Sequence, residues 1–166
     1  GAVHSDEAPN ALGLIWFIEN ALPILRNRIG QDVKLFFAGK NHSKALEAYA
    51  SDSERFLGFV EDLDEWYDRC RVFIAPARYT AGIPLKVIEA SSRGIPVVGT
   101  DLAREQLGWA LAEMLSAESA EAIAEACIQL YTDEALWERL REGALNRVAR
   151  DYSRQSMMDA LEASLA

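Results

Sequence analysis

The chain has 166 residues, half of them hydrophobic, and a formal net charge of −9. That length suits one domain with ample material for a core, no apolar run approaches a membrane span, and no signal-peptide pattern is read at the start. Acids outnumber bases 13 to 6 after residue 100 and 13 to 11 before it; the excess reads as a solvated helical surface and, with no basic stripe, speaks against a nucleic-acid partner.

Taken in order, residues 1–10 read as a loop in which Ser5 or Asn10 caps the first helix. Residues 11–29 carry a helical stripe of Leu12, Ile15, Trp16, Ile18 and Leu22. Pro23 interrupts it, which predicts a kink or two helices in series. A turn at 30–32 leads into a strand over 33–38 that leaves through Gly39, Lys40 and Asn41. A short helix over 43–49 and a short strand within 55–60 come next. The clearest helix spans 61–70, where Leu63, Trp66, Tyr67 and Cys70 fall at i, i+3, i+4 and i+7. Glu61, Asp62 and Asp64 crowd its first turn, where the helix dipole favours negative charge.

Residues 71–100 organise the rest. Val72 to Ala75 form a continuous apolar run, as expected of a parallel strand buried on both faces. The loop 76–82 ends on Gly82, where a positive φ or a close approach to a ligand is expected. Pro84 suits the first position of a helix with Ile83, Val87 and Ala90 on one face, and Gly94 is placed to end it. Residues 96–100 make the next strand. Beyond it lie a loop or short helix over 101–109 and a last strand at 111–115. Helices at 119–131 and 133–150 come after it, the second capped by Thr132. Ser153 caps a final helix bearing Met157, Leu161 and Leu165.

Strands alternating with helices predict an α/β domain, a Rossmann-like parallel sheet with helices on both faces and extra helices at the C-terminus. Ligands of such sheets bind beyond the carboxyl ends of the strands. A loop running into a helix N-terminus suits an anion. Glu89, about one and a half turns inside that helix, looks back at the loop. An anionic ligand that carries hydroxyl groups a sugar-length away fits both features. Trp66 and Trp137 read as core, His4 and His42 as surface or capping residues. Cys70 and Cys127 read as isolated reduced thiols of a cytosolic protein, and no Cys/His cluster announces a metal.

The run R-Y-x-A-G-I-x-x-K-V-I-E-A at 78–90, followed by G-I-P-V-V-x-T, resembles the donor-site signature of retaining GT-B glycosyltransferases, family 4 (group 1). The similarity covers nearly the whole chain. It includes Pro9-Asn10, L-P-I-L at 22–25, the strand ending in Gly39, F-L-G-F-V-x-D at 56–62 and Y-x-x-C-R-V-F-I-A-P at 67–76. The resemblance implies that residues 1–166 are the donor-binding half of a GT-B fold, an excised domain. Its first strand and its acceptor-binding N-terminal domain lie outside the sequence.

The implied activity is transfer of a sugar from a UDP- or GDP-sugar to an acceptor in polysaccharide or glycoconjugate synthesis. Glu89 would hold the ribose hydroxyls. The backbone of Gly82, Ile83, Pro84 and Leu85 would meet the diphosphate, and Phe59 and Val60 the base, with Asp62 near the same pocket. Family members often carry an Arg and a Lys in the loop matching 1–10. Neither is present, so the phosphate charge falls to Lys86, Lys40, Arg78 and the helix N-terminus. Ala81 stands where the family usually has a second Glu that contacts the donor sugar. No catalytic residue is assigned and no metal is implied. The partners are the nucleotide-sugar and the N-terminal domain. The location is cytoplasmic, and any contact with the inner membrane face would belong to the other half.

A non-catalytic nucleotide-sugar-binding or assembly module of the same fold is the alternative. A nicotinamide-binding domain needs G-x-G-x-x-G after its first strand, and no such run is found. A receiver domain needs acids at the strand ends, which here carry Gly39, Phe59 and Pro76.

Overall fold

The computed structural model describes residues 2–79 and 82–165. Thr80 and Ala81 fall outside the described residues, as do the side chains of Met157, Leu161 and Leu165. The chain begins with α1 (Pro9–Trp16), a π-helical turn (Phe17–Ala21) and α2 (Leu22–Ile29). Pro23 is the cause of the interruption, as the sequence led us to expect. It has no N–H, and its ring collides with the carbonyl four residues back. The turn widens just ahead of it, and the Leu22 N–H reaches the Phe17 carbonyl, five residues back.

Among the described residues five strands follow, β1 (Leu35–Ala38), β2 (Glu54–Gly58), β3 (Phe73–Ala75), β4 (Val97–Gly99) and β5 (Leu115–Ser116). Every pairing is parallel. Among the described residues they form two ladders, β1–β2 and β3–β4–β5. The helices between and after them are α3 (Lys44–Glu47), α4 (Asp64–Arg69), α5 (Leu85–Ser92), α6 (Asp101–Leu107), α7 (Ala120–Thr132), α8 (Glu134–Asp151) and α9 (Arg154–Leu165). The expected α/β class, parallel strands flanked by helices, is what the structure shows.

Strand β4 explains why its sequence is a continuous apolar run. Val98 faces a core built from Phe17, Leu22, Ile123 and Leu130. Val97 faces the opposite core of Val87, Ala90, Leu107 and Ala144. Both valines are fully buried, and burial of such a side chain contributes about 1.5–3 kcal/mol. Polar ties hold the layers in register. Arg26 of α2 pairs with Glu54 at 2.6 Å and donates to the Val33 carbonyl at 2.8 Å. Trp137 of α8 donates to the Arg71 carbonyl at 2.7 Å.

Several local expectations need correction. Neither Ser5 nor Asn10 caps α1: Ala8 occupies the cap position and supplies no side-chain bond. Thr132 does not cap α8. Asp133 does, accepting from the Leu136 N–H at 2.9 Å, while the Thr132 hydroxyl donates to the Ile128 carbonyl of the preceding helix. A carboxylate is the better acceptor for a helix N-terminus. Helix α4 begins at Asp64, so Glu61 and Asp62 precede it. Pro84 precedes α5 rather than opening it, with ψ at 79°. Ile83 is therefore off the helix and exposed, while Val87 and Ala90 are buried. The last strand lies at 115–116 instead of 111–115.

Helix α1 lies hard against the end of β3. A Cβ added at Gly13 would stand 2.4 Å from the Pro76 carbonyl oxygen. Both elements there are backbone, so neither yields cheaply. Helix propensity alone favours alanine over glycine by about 1 kcal/mol. We expect the opposite: Gly13→Ala lowers unfolding free energy by about 1–3 kcal/mol, read as a lower denaturation midpoint at unchanged m-value. A variant as stable as the parent would show that α1 is free to move away.

Candidate functional site

The loops after β1 and β3 meet α1 and the segment before it on one side of the domain, and β2 ends beside β1, the Gly39 N–H donating to the Gly58 carbonyl at 2.8 Å. The segment before α1 is pinned there. Val3 pairs parallel with Asn41, donating to the Lys40 carbonyl at 2.8 Å and accepting from the His42 N–H at 2.9 Å. Asp6 accepts from the Ser43 hydroxyl at 2.6 Å and the Ala45 N–H at 3.0 Å. These bonds hold its carboxyl below the usual carboxylate range.

A cavity of about 220 Å³ runs inward from this edge. Its polar lining includes Asn10, Lys40, Asn41, Tyr67, Lys86 and Glu89. Apolar walls come from both ladders and from Leu63, Trp66 and Cys70, the stripe that the i, i+3, i+4, i+7 spacing marked, with Trp66 on α4 and Leu63 and Cys70 at its two caps. Trp66 also packs on Phe36 at 5.1 Å between ring centroids.

Helix α5 supplies two of the charged groups that line the cavity, Lys86 and Glu89, beside Lys34 and Lys40 of the β1 segment. Lys86 is partly buried, and its Nζ donates to the Asn10 Oδ1 at 2.6 Å. Burial lowers its pKa from the ordinary 10.5, because removing an ammonium from water favours the neutral amine. Glu89 sits one turn further on and is exposed. Among the described residues its carboxylate enters no ion pair and makes no hydrogen bond. Its charge nevertheless acts on Tyr67. Desolvation chiefly, and then Glu89, push that phenol up to about 12. Tyr67 therefore stays protonated and remains a hydrogen-bond donor.

The other residues singled out from the sequence spread along the rim. Gly82 has φ +94°, and a Cβ there would touch nothing within 4 Å. The backbone conformation, not crowding, is what asks for glycine. Pro84 has no N–H, and the Leu85 N–H is already donated to the Ile83 carbonyl at 2.9 Å. Ile83 and Leu85 expose their side chains, at 56% and 72%. Phe59, 74% exposed, Val60 and Asp62 follow β2 and do not line the cavity. Asp62 accepts from the Asp64 N–H at 2.8 Å and so orders the start of α4. Arg78 stands over the Trp16 ring, 4.9 Å from its centroid. Lys40 lines the cavity.

Sequence reasoning missed Asn10, Tyr67 and Thr100 as site residues. Thr100 is buried and donates to the Ala77 carbonyl at 2.7 Å, fixing the loop after β3. Tyr67 was visible as one member of the α4 stripe. Nothing in the local sequence sets Asn10 against a lysine 76 positions away.

This fold and sequence have known counterparts. A family described as Glycosyl transferases group 1 matches residues 3–133. The lipopolysaccharide core biosynthesis mannosyltransferase LpcC of Rhizobium leguminosarum is 29% identical over 130 residues, 76% of this chain and 37% of its own length. Anabaena HepE, solved with UDP and glucose, superposes with a TM-score of 0.71 at 14% identity, covering 91% of this chain and 45% of that one. The C-terminal domain of a group 1 glycosyl transferase, LpcC of Francisella tularensis, gives 0.67 at 16% identity and covers 93% of this chain and 86% of that one. The fold is that of the C-terminal domain of a GT-B enzyme. The chain spans well under half the length of the curated relative it matches, and it belongs to the group 1 glycosyl transferases.

Proposed function

We propose that this chain is the donor-binding domain of a retaining glycosyltransferase that takes a sugar from a UDP- or GDP-sugar. The observation that carries the proposal is the pair on α5: a partly buried ammonium and a free carboxylate, one turn apart, at the carboxyl end of parallel strands. In this reading Glu89 accepts from the ribose hydroxyls and Lys86 meets the diphosphate. Gly82 and Ile83 supply backbone N–H groups, because Pro84 and Leu85 have none to offer. Phe59 and Val60 flank the base. Arg78 and Lys40 add positive charge at the mouth. The protein's contribution to catalysis is then positioning and stabilisation of the leaving diphosphate by fixed positive charge. The relative's name supports a hexose donor and a saccharide acceptor of the lipopolysaccharide type.

The site forms one wall of a cleft. Phe59, Tyr79 and Ile83 on loops and Leu85 at the start of α5 have most of their surface in solvent, and large exposed apolar side chains of this kind suit an interaction surface. The second wall is assigned to an N-terminal acceptor domain. We therefore expect residues 1–166 alone to transfer no sugar. Among the described residues no helix is long and apolar enough to cross a membrane. The two free cysteines, Cys127 buried with its thiol pushed up to about 12, suit a reducing cytoplasm.

Two variants test the reading. Glu89→Gln removes the charge that the ribose hydroxyls would read. Charge-assisted bonds of this type are worth about 1.5–3 kcal/mol, and we expect the low end in an open site, about tenfold weaker nucleoside diphosphate binding. The unliganded melting temperature should not move. The 2′,3′-dideoxy nucleotide should bind parent and variant alike; a parent that binds ribose and dideoxy forms equally does not use Glu89 this way.

Lys86→Met should raise stability at neutral pH by about 1 kcal/mol and weaken diphosphate binding. The sign follows from the lowered pKa. The cost of the buried charge is fully present below the folded-state pKa and lifts as pH rises toward 10.5. The stability gap between variant and parent should therefore close over that range. A gap that widens with pH contradicts the assignment.

A further inference from the structure

We infer that Asn10 is a positioning residue that holds the Lys86 ammonium, uncompensated, at the N-terminus of α1 for an anionic diphosphate. The inference rests on the reading of this cavity as the diphosphate site, and it gives a role to a residue that the resemblance includes in Pro9-Asn10 but assigns none.

Asn10 is the second residue of α1, and Ala8 gives that helix no side-chain cap. The positive end of the α1 dipole is therefore not offset by a side chain. Lys86 places a second positive charge at the same spot, 2.6 Å from the Asn10 Oδ1. Among the described residues no carboxylate pairs with it. Asp6 is turned onto Ser43 and Ala45, capping α3 instead. Glu89 shares the helix and the cavity but does not close on Lys86. Two positive features held together in a partly buried pocket oppose folding unless a ligand anion joins them.

The choice of Asn over Asp carries the same message. An aspartate in the first turn would favour the dipole and pair with Lys86, gaining stability on both counts. A neutral amide forgoes this. Its Oδ1 takes one ammonium hydrogen and leaves the full charge and the remaining hydrogens for a ligand. Its Nδ2 donates to the Ala2 carbonyl at 3.4 Å, which fixes the amide with its oxygen toward Lys86.

Asn10→Asp and Asn10→Ala separate this from a structural role, with Lys86→Met as the reference. Inorganic pyrophosphate, UDP, GDP and their nucleosides are titrated calorimetrically into each protein. Asn10→Asp should weaken pyrophosphate and the preferred nucleoside diphosphate at least tenfold and leave the nucleoside unchanged. Asn10→Ala should weaken them several-fold. It should also remove the slowly exchanging ¹H–¹⁵N signal of the Lys86 ammonium, which the parent shows. If Lys86→Met leaves pyrophosphate binding intact, the reading of the cavity fails and this inference with it. If Lys86→Met abolishes binding while both Asn10 variants bind as the parent does, the reading stands and the inference is overturned. Equal losses for nucleoside and diphosphate in the Asn10 variants would make Asn10 a structural helix residue and also overturn it.

Discussion

Helix α1 runs past the end of β3 at a distance that only glycine permits, and the site depends on that contact. Gly13 lets the helix backbone approach the Pro76 carbonyl. Of the residues three positions to either side, one then lines the cavity and the other lies at its rim. Asn10 reaches Lys86, and Trp16 lies under Arg78. Phe17, in the π-helical turn, is buried in the core that Val98 of β4 also faces. Pro23 acts through the same helix. By forcing the widened turn, it changes the direction in which the residues after Trp16 point relative to those before it. A uniform α-helix over 9–29 would carry a single stripe. This one divides its work between the cavity and the core.

Much of this was legible in the sequence because burial on two faces and helical spacing leave direct marks. The apolar run at 97–98, the stripe on α4 and the break at Pro23 each follow from one local rule. The run at 72–75 does form the parallel strand β3, but only Ala75 is buried, and Val72, Phe73 and Ile74 stay half-buried beside the cavity instead of being covered on both faces. The misread positions are those where two local rules compete. Thr132 and Asp133 are both good caps, and the carboxylate takes the position. Pro84 suits a first helical residue, but its ψ of 79° leaves it just outside the helix and carries Ile83 with it. The boundaries of β1 and β2 shift by one or two residues, because a ladder begins and ends where its partner does, Leu35 opposite Glu54 and Ala38 opposite Gly58.

The site divides the same way. Residues on α5 were found because motif and helix geometry coincide: Lys86 and Glu89 share the cavity that the chain order placed at the carboxyl ends of the strands. Asn10, Tyr67 and Thr100 matter through contacts between segments far apart in sequence, and no single-chain pattern reports those. Arg78 shows the reverse. Its charge suggested the cavity, but the face of Trp16 offers a guanidinium an attractive surface on the way, and that contact fixes it on the rim.

In the proposed reading, the spacing of the two charges on α5 selects the ligand. Lys86 and Glu89 are three residues apart, about 4.5 Å along the helix axis. Lysine and glutamate at that separation commonly pair. Here the ammonium is drawn inward by Asn10 and the carboxylate stays exposed beside Tyr67, so the cavity keeps a positive end and a negative rim. A molecule that satisfies both ends carries an anion and, a few ångströms away, hydroxyl groups able to donate. A nucleoside diphosphate has that polarity, with the phosphates joined directly to the ribose. Inorganic phosphate satisfies one end, and a free sugar satisfies the other. On the proposed reading, the separation that Asn10 maintains would let the cavity meet the two halves of one nucleoside diphosphate together, where an ordinary helical ion pair would close on itself.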